Sequence, residues 1–247
     1  VNSWKFLLFT AILILIPEFL IYREPDLSTS IVTFLMICAI ILSSTIQGKY
    51  LKRAVLVAIP VAAAVLALII ILPADKNIIS QYQYNRLIGF YDPDNEVADT
   101  IRYQQENSVI AIAGGSLTGK GLKNNSITSV KNADFIFAPE TDFIFTIIGE
   151  ELGFLGSVAT ILLLVLIVIE CFRIGFRARE QIGKSIAIGF GSLIAFQAIV
   201  NIGVVTMLLP NTGLTLPFVS AGLSSLVVLY MGVGILLNIS MRMRITF

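Results

Sequence analysis

The fold is decided by residues 143–170, which read FIFTIIGEELGFLGSVATILLLVLIVIE. A helix that spans a bilayer needs about 20 mostly apolar residues, and this run exceeds that length. The whole chain agrees, because it is 56% hydrophobic and 13% charged, whereas soluble domains are about 25% charged. The sequence therefore predicts an all-α, polytopic membrane protein.

The same criterion predicts six spans within a single membrane domain, residues 1–247. They cover residues 5–22, 28–46, 54–72, 143–170, 185–207 and 219–240. One long polar segment, residues 73–141, interrupts the series. Its tyrosines and apolar residues predict partial folding on the membrane surface, with a short interfacial helix at Ile79–Phe90. The chain enters its first apolar segment almost at once after Val1, so we expect a fragment of a longer protein.

The basic residues predict which side each link occupies. Six spans place the links at 47–53 and 173–184 and the C-terminal end on one side of the membrane. These three places hold Lys49, Lys52, Arg53, Arg173, Arg177, Arg179, Lys184, Arg242 and Arg244. By the positive-inside rule that side is cytoplasmic. Both termini are then cytoplasmic, and residues 73–141 and 208–218 are extracytoplasmic.

Composition excludes several classes of function. The chain has no histidine, which rules out Ser-His-Asp and Cys-His catalysis and the commonest zinc sites. Its net charge of +1 argues against a nucleic-acid partner. Cys38 and Cys171 both lie in apolar runs, where free cysteines are usually buried by packing.

Asp142 stands where the long polar segment meets the 143–170 run, and it has two compatible interpretations. In the first, Thr141 caps the helix and Asp142 lies in its first turn, where the helix dipole favours an acid. In the second, Asp142 is a general base or a metal ligand. The dipole would lower the pKa of the carboxyl and weaken it as a base unless desolvation opposes that effect.

Further acids lie inside the predicted spans, where carboxylates are costly. On one helix Glu150 and Glu151 point to different faces, so they cannot both serve one site. Glu150 could line a cavity below Asp142, and Glu151 is expected to pair with another helix. For each, and for Glu18 beside Pro17, a polar contact between helices is as good an explanation as direct chemistry.

Two glycine-containing segments complete the candidates. Residues 114–121, GGSLTGKG, resemble a phosphate-binding loop, but the Walker pattern needs Ser or Thr where Gly121 stands. A nucleotide site is rejected, whereas phosphate contact stays open because Gly-rich turns expose N–H groups beside Lys120. Residues 209–218, LPNTGLTLPF, form an uncharged turn. It leads into the small residues of 219–225, which suit close helix packing or irregular backbone beside a cavity.

Together these stretches resemble one family, the SEDS proteins (shape, elongation, division and sporulation) of bacteria, typified by RodA and FtsW. TDFIF at 141–145 with GEELGFLG at 149–156, and LPNTGLTLPFVSAGLSS at 209–225, are similar to family motifs. Further segments match family motifs in the order that the family has along its chain. EPDLST at 24–29 resembles QPDLGT, and Tyr82, Gln83 and Arg86 resemble YQxxR before Asp92-Pro93. Ala111-Ile112 and Gly119-Lys120-Gly121 resemble AIGSGGLxGKG, and Asn201-Ile202-Gly203 resembles NIG. The resemblance covers essentially the whole chain.

The resemblance implies a peptidoglycan glycosyltransferase that polymerises lipid II outside the cytoplasmic membrane, alongside a class B penicillin-binding protein. It maps the essential family Asp onto Asp142, which would deprotonate the attacking sugar 4-hydroxyl directly or through a divalent cation, Mg or Mn. Membrane lipids surround such a protein. The candidate substrate contacts are Arg86, Lys120, Glu140, Glu150, Ser220 and Ser224.

The chain departs from the family pattern at four places. Family members have PExHTDF, whereas here Pro139-Glu140 runs directly into Thr141-Asp142. The family motif SYGGSS is replaced by SAGLSS at 220–225. The Gln that begins the family motif QPDLGT is replaced by Glu24. The six spans match the last six of the family's ten. Two other functions therefore stay open: a lipid II flippase, although no internal repeat is visible, and a non-catalytic partner of a penicillin-binding protein.

Overall fold

A computed structural model describes residues 4–23, 26–44, 83–86, 90, 99–122, 129, 136 and 139–244. The longer helices in these ranges are α1 (Trp4–Arg23), α2 (Leu27–Ser43), α3 (Asp99–Gly114), α4 (Ile144–Arg177), α5 (Gln181–Val205) and α6 (Leu223–Arg244). Residues 83–86 form one further helical turn. No strand occurs among the described residues, which confirms the all-α prediction for that part of the chain.

Three of these helices are long and apolar enough to cross a bilayer: α4, α5 and α6 over Leu223–Arg242. Shorter apolar stretches occur in α1 (Ile12–Ile21) and α2 (Ser28–Ser43). α1 and α2 coincide closely with the predicted spans 5–22 and 28–46. The predicted span 54–72 lies outside the described residues, as does most of the interfacial helix predicted at 79–90.

α4 is not one continuous helix, because its backbone breaks at Gly153 (φ 66°, ψ −160°). A break leaves carbonyl and N–H groups without partners inside the helix, and such groups are costly at membrane depth. The loop at 115–121 supplies the partners. Lys120 and Gly121 donate their N–H groups to the carbonyls of Glu150 and Glu151 at 2.9 and 3.0 Å.

The loop also accepts hydrogen bonds from the far side of the break. Phe154 N–H donates to Ser116 O at 2.9 Å, and Leu155 N–H donates to Leu117 O at 3.2 Å. The approach is so close that a Cβ on Gly153 would stand 2.3 Å from the Gly119 nitrogen. Glycine is therefore required at the break for both its φ and its lack of a side chain.

α3 lies inside the segment expected to be a loop, and it is a 16-residue helix packed against α4 and α5. Its buried Gln105 donates from Nε2 to Val204 O at 2.8 Å and Leu209 O at 2.9 Å. Buried Ser108 donates to Val205 O at 2.8 Å and contacts the Thr146 hydroxyl. The sequence pattern did not reveal α3, because its buried face carries polar and small side chains.

The described core consists of two apolar clusters. One lies at the Asp142 end of the bundle and includes Phe143, Phe145, Val205 and Leu216. The other lies further along α4, α5 and α6 and includes Cys171, Ala187, Ile194 and Leu229. Cys171 therefore packs in the core as predicted. Many large apolar side chains of α1, α4 and α6 are exposed, as expected of lipid-facing surfaces.

Candidate active site

Asp142 lies in a turn that precedes α4. The N-cap of α4 is Phe143 (φ −113°, ψ 23°), which makes no side-chain cap bond. The prediction that Thr141 caps the helix, with Asp142 in the first turn, is therefore wrong. Tertiary hydrogen bonds hold this turn out of the helix.

The first of these bonds comes from α5. Asn201 is fully buried, and its Nδ2 donates to Asp142 O at 2.7 Å and to Leu214 O at 2.6 Å. One side-chain amide thus joins the Asp142 turn to the 209–218 turn. The backbone of Asp142 is positioned by two segments far apart in sequence.

Ser220 makes a second connection. Its hydroxyl donates to Thr141 O at 2.6 Å and accepts from Leu216 N–H at 2.7 Å. Next to it, Ala221 N–H donates to Glu140 O at 3.0 Å. Ser220 is 3% exposed, so it positions the backbone beside Asp142. Its role as a substrate contact stays a prediction.

The carboxylate of Asp142 and the guanidinium of Arg86 meet at Gly213. A Cβ on Gly213 would lie 3.4 Å from Asp142 Oδ2 and 3.5 Å from Arg86 Nη1. Gly213 has φ +74°, a conformation that favours glycine. Because Gly213 has no side chain, a small space stays open beside the Asp142 carboxylate and the Arg86 guanidinium.

Burial raises the pKa of the Asp142 carboxyl above its ordinary value. A hydrogen bond from Thr141 and the charge of Arg86 oppose this increase, while the negative charge of Asp26 adds to it. Desolvation therefore outweighs the factors that hold the group ionised. A carboxylate whose pKa is moved towards neutrality is a stronger general base.

The start of α2 brings Asp26 into this region. Asp26 caps α2 by accepting from Thr29 N–H at 3.0 Å and from Thr29 Oγ1 at 2.5 Å. In the first turn of α2, Ser28 Oγ donates to Thr212 O at 3.3 Å, which ties α2 to the 209–218 turn. Segments around residues 26, 86, 142 and 213 thus converge at one end of the bundle.

Lys120 and Glu150 form a separate pair at the break in α4. Lys120 Nζ lies 2.7 Å from Glu150 Oε1, and the Glu150 side chain is 4% exposed. The N–H groups of Lys120 and Gly121 donate to α4 carbonyls, and that of Gly119 donates to Gly115 O at 2.8 Å. The expectation that N–H groups of this loop are open to phosphate is wrong for these three, because backbone carbonyls occupy them.

The remaining candidates are dispersed. Ser224 is exposed in the first turn of α6, and the Glu140 side chain is exposed in the Asp142 turn. Both stay predictions as substrate contacts. Glu18 of α1 accepts from Ser30 of α2 at 3.1 Å, which is the polar contact between helices that one interpretation expected.

The described residues contain no group of three or more Cys, Asp or Glu side chains that could hold a metal ion. Mg²⁺ is often bound by only one or two carboxylates together with substrate phosphates. Asp26 lies close enough to Asp142 for its charge to raise the pKa of that carboxyl, and the divalent cation stays a prediction.

The comparisons with known proteins bear on this site. A family model described as "Cell cycle protein", of the FtsW, RodA and SpoVE type, matches residues 1–245. The chain belongs to this family. That match confirms the resemblance carried by the TDFIF, GKG and LPNTGLTLPF segments.

Several curated relatives are similar to the chain. It is 37% identical over 225 residues to "Probable peptidoglycan glycosyltransferase FtsW" of Bacillus subtilis (strain 168), covering 91% of this chain and 54% of the relative. It is 34% identical over 248 residues to the protein of the same name in Buchnera aphidicola subsp. Schizaphis graminum, covering 99% and 65%. It is 34% identical to "Stage V sporulation protein E" of Bacillus subtilis, covering 91% and 57%. The chain thus spans less than two thirds of the length of these relatives.

One solved structure is described as "Structural coordination of polymerization and crosslinking by a peptidoglycan synthase complex". A chain of that structure superposes with a TM-score of 0.71 at 24% sequence identity, covering 99% of this chain and 64% of that one. The likeness shows a shared fold. Together with the three apolar helices, the family places this chain among integral membrane proteins.

Sequence reasoning found Asp142 but missed how it is held. The signal for Asn201 is an amide side chain within an apolar span, where polar side chains usually make buried contacts. The positioning role of Ser220 and the spacing role of Gly213 have no signal in the pattern, because each depends on contacts between distant segments.

Proposed function

We propose that this chain is part of a peptidoglycan glycosyltransferase that polymerises lipid II at the outer face of the cytoplasmic membrane. The process it serves is elongation, division or sporulation. The observation that carries the proposal is the half-buried Asp142 carboxyl, with its raised pKa, beside Gly213 together with the Arg86 guanidinium. Family membership and the names of the relatives supply the reaction class.

In the proposed reaction Asp142 accepts the proton of the acceptor sugar's 4-hydroxyl. The oxygen attacks the anomeric carbon of the donor, the bond between that carbon and the pyrophosphate oxygen breaks, and the electron pair leaves with undecaprenyl pyrophosphate. Arg86 is placed to stabilise the developing negative charge. Its guanidinium presents a planar set of donors that matches phosphate oxygens.

A divalent cation is compatible with this scheme. Asp142, with Asp26 nearby, would hold it, and when bound it would neutralise charge on the pyrophosphate. The positioning of Asp142 and its strength as a base do not require the cation. Asn201 and Ser220 fix the Asp142 backbone, and partial burial strengthens the carboxylate as a base.

The proposed topology has six spans, cytoplasmic ends and an extracytoplasmic segment at 73–141. It puts Asp142 on the side where lipid II presents its sugars. The distribution of Lys and Arg supports this orientation. The proposed protein partner is a class B penicillin-binding protein, and the description of the solved synthase complex is consistent with it.

The test is polymerisation of lipid II by the full-length protein with its penicillin-binding protein partner, with glycan chains resolved on a gel. Asp142→Asn keeps the shape of the side chain and removes its basicity, so we expect chain formation to fall to background. Glu106→Gln is the control, because Glu106 is a partly exposed acid whose ion-pair partner among the described residues is Arg102, one turn away on α3. Glycan chains of ordinary length from Asp142→Asn would refute the catalytic assignment.

A further inference from the structure

A groove of about 770 Å³ opens between α5 and α6 at the ends furthest from Asp142. Its walls include Ile182, Ile186, Met231 and Ile235. These four side chains are exposed, Ile182 at 73% and Met231 at 64%. The groove therefore has apolar walls that face outward.

One end of this groove is polar and carries a net positive charge. Arg179, Arg242 and Asn238 line it together with one acid, Glu180. Arg179 lies in the link between α4 and α5, and Arg242 lies in the last turn of α6, so both stand where an apolar span ends. The groove thus combines two guanidinium groups at its mouth with apolar walls along its length.

The floor of the groove is open beside α6. A Cβ on Gly234 would meet no atom within 4 Å. The absence of a side chain there leaves space that another molecule can occupy. The volume suits part of a lipid, since pockets for small molecules measure about 300–1,000 Å³.

We infer that this groove binds an anionic phospholipid. Its phosphate lies at Arg179 and Arg242, and its acyl chains follow the isoleucines. Basic pockets between membrane helices on the cytoplasmic side recognise anionic head groups, and arginine matches phosphate geometry with two parallel donors. The inference does not depend on the proposed reaction at the other end of the bundle.

The charge of the groove mouth favours an anionic lipid over an apolar helix as the occupant. An apolar helix laid into the groove would press against two guanidinium groups and remove them from water, which is costly without a counter-charge. Glu180 is the one acid among the described residues that line the groove, against two arginines. A lipid phosphate at the groove mouth adds a second negative charge there, while the acyl chains of the lipid cover the apolar walls.

The test titrates the full-length protein with phosphatidylglycerol or phosphatidylcholine and counts bound lipids by native mass spectrometry. We expect tighter binding of phosphatidylglycerol. An arginine near a membrane surface contributes about a five-fold gain in affinity, so Arg179→Gln with Arg242→Gln should weaken it about 25-fold. The matched control is Arg102→Gln with Arg173→Gln, which removes two arginines that pair with acids outside the groove. Equal affinity for both lipids, or equal loss in both double variants, overturns the inference.

A second variant tests whether the lipid enters the groove or only contacts the arginines at the surface. Gly234→Leu fills the open floor and keeps both arginines, and it should not unfold α6 because leucine favours helix over glycine. We expect it to lose phosphatidylglycerol binding with an unchanged or higher melting temperature. Binding equal to that of the unmodified protein would mean that lipid meets the arginines without entering the groove.

Discussion

The protonation of the Asp142 carboxyl depends on a balance between its burial and the positive charge of Arg86. Burial raises its pKa and Arg86 lowers it. Because general-base catalysis needs the ionised form, activity should fall as the pH drops through this pKa.

Arg86→Gln removes the lowering effect, so the pKa of Asp142 should rise further. The acidic limb of kcat/KM for polymerisation should then move to higher pH, in addition to any loss of rate. Arg102→Gln removes a partly buried arginine that pairs with Glu106 along α3, and it should leave the limb in place. A limb that stays fixed or moves to lower pH in Arg86→Gln would contradict the pairing of these two residues.

Gly213 keeps open the space beside the Asp142 carboxylate and the Arg86 guanidinium. Gly213→Ala forces alanine to φ +74° and places a methyl group 3.4 Å from the Asp142 carboxylate. The backbone strain is about 1–2 kcal/mol, and the methyl group takes room in the site proposed for the substrate. We expect polymerisation to fall at least about ten-fold while the protein still folds.

The control for this substitution is Gly121→Ala. Gly121 has φ +93°, and a Cβ there meets no atom within 4 Å. It therefore carries similar backbone strain with no contact to the site. If the two variants lose activity equally, strain alone explains the effect and Gly213 has no special place in the site.

At the scale of elements, the break in α4 depends on Gly153. A Cβ at Gly153 would stand 2.3 Å from Gly119 N and 2.8 Å from the Leu117 carbonyl. Gly153→Ala must therefore push the 115–121 loop away and leave backbone groups without partners, at about 1–3 kcal/mol for each. We expect a large fall in melting temperature and in yield of folded protein.

Gly121→Ala again provides the comparison, since it adds a methyl group to the same loop in open space. It should melt within a few degrees of the unmodified protein. A Gly153→Ala variant that melts as high as Gly121→Ala would show that the loop does not need its close contact with the helix.

Elements were predictable from sequence to the extent that their residues are apolar. The runs at 143–170, 185–207 and 219–240 are matched by α4, α5 and α6 with shifted ends, because long apolar helices can be recognised from composition alone. α3 could not be found in this way, since Gln105 and Ser108 are buried by hydrogen bonds to carbonyls at the end of α5. The break in α4 was equally hidden, because Gly153 within an apolar run looks like an ordinary helix residue until the loop is seen against it.

At the scale of the whole molecule, the orientation in the membrane can be tested directly. After replacement of Cys38 and Cys171, we expect Thr118→Cys to react with an impermeant maleimide in intact spheroplasts. Glu180→Cys, between α4 and α5, should react only after permeabilisation. Both residues are exposed, so access to solvent is matched. The reverse pattern would overturn the assignment based on Lys and Arg.

The break in α4 also sets the depth of Asp142. The hydrocarbon core is about 30 Å thick, and residues 154–177 extend for about 36 Å at 1.5 Å per residue, enough to cross it alone. Gly153 then lies near the boundary of the core, and Asp142 lies up to about 16 Å beyond Gly153 along the chain. The interfacial layer on each side is about 5–8 Å thick. The carboxylate therefore lies outside the hydrocarbon core, where the proposed lipid-linked substrate would present its pyrophosphate and its sugars.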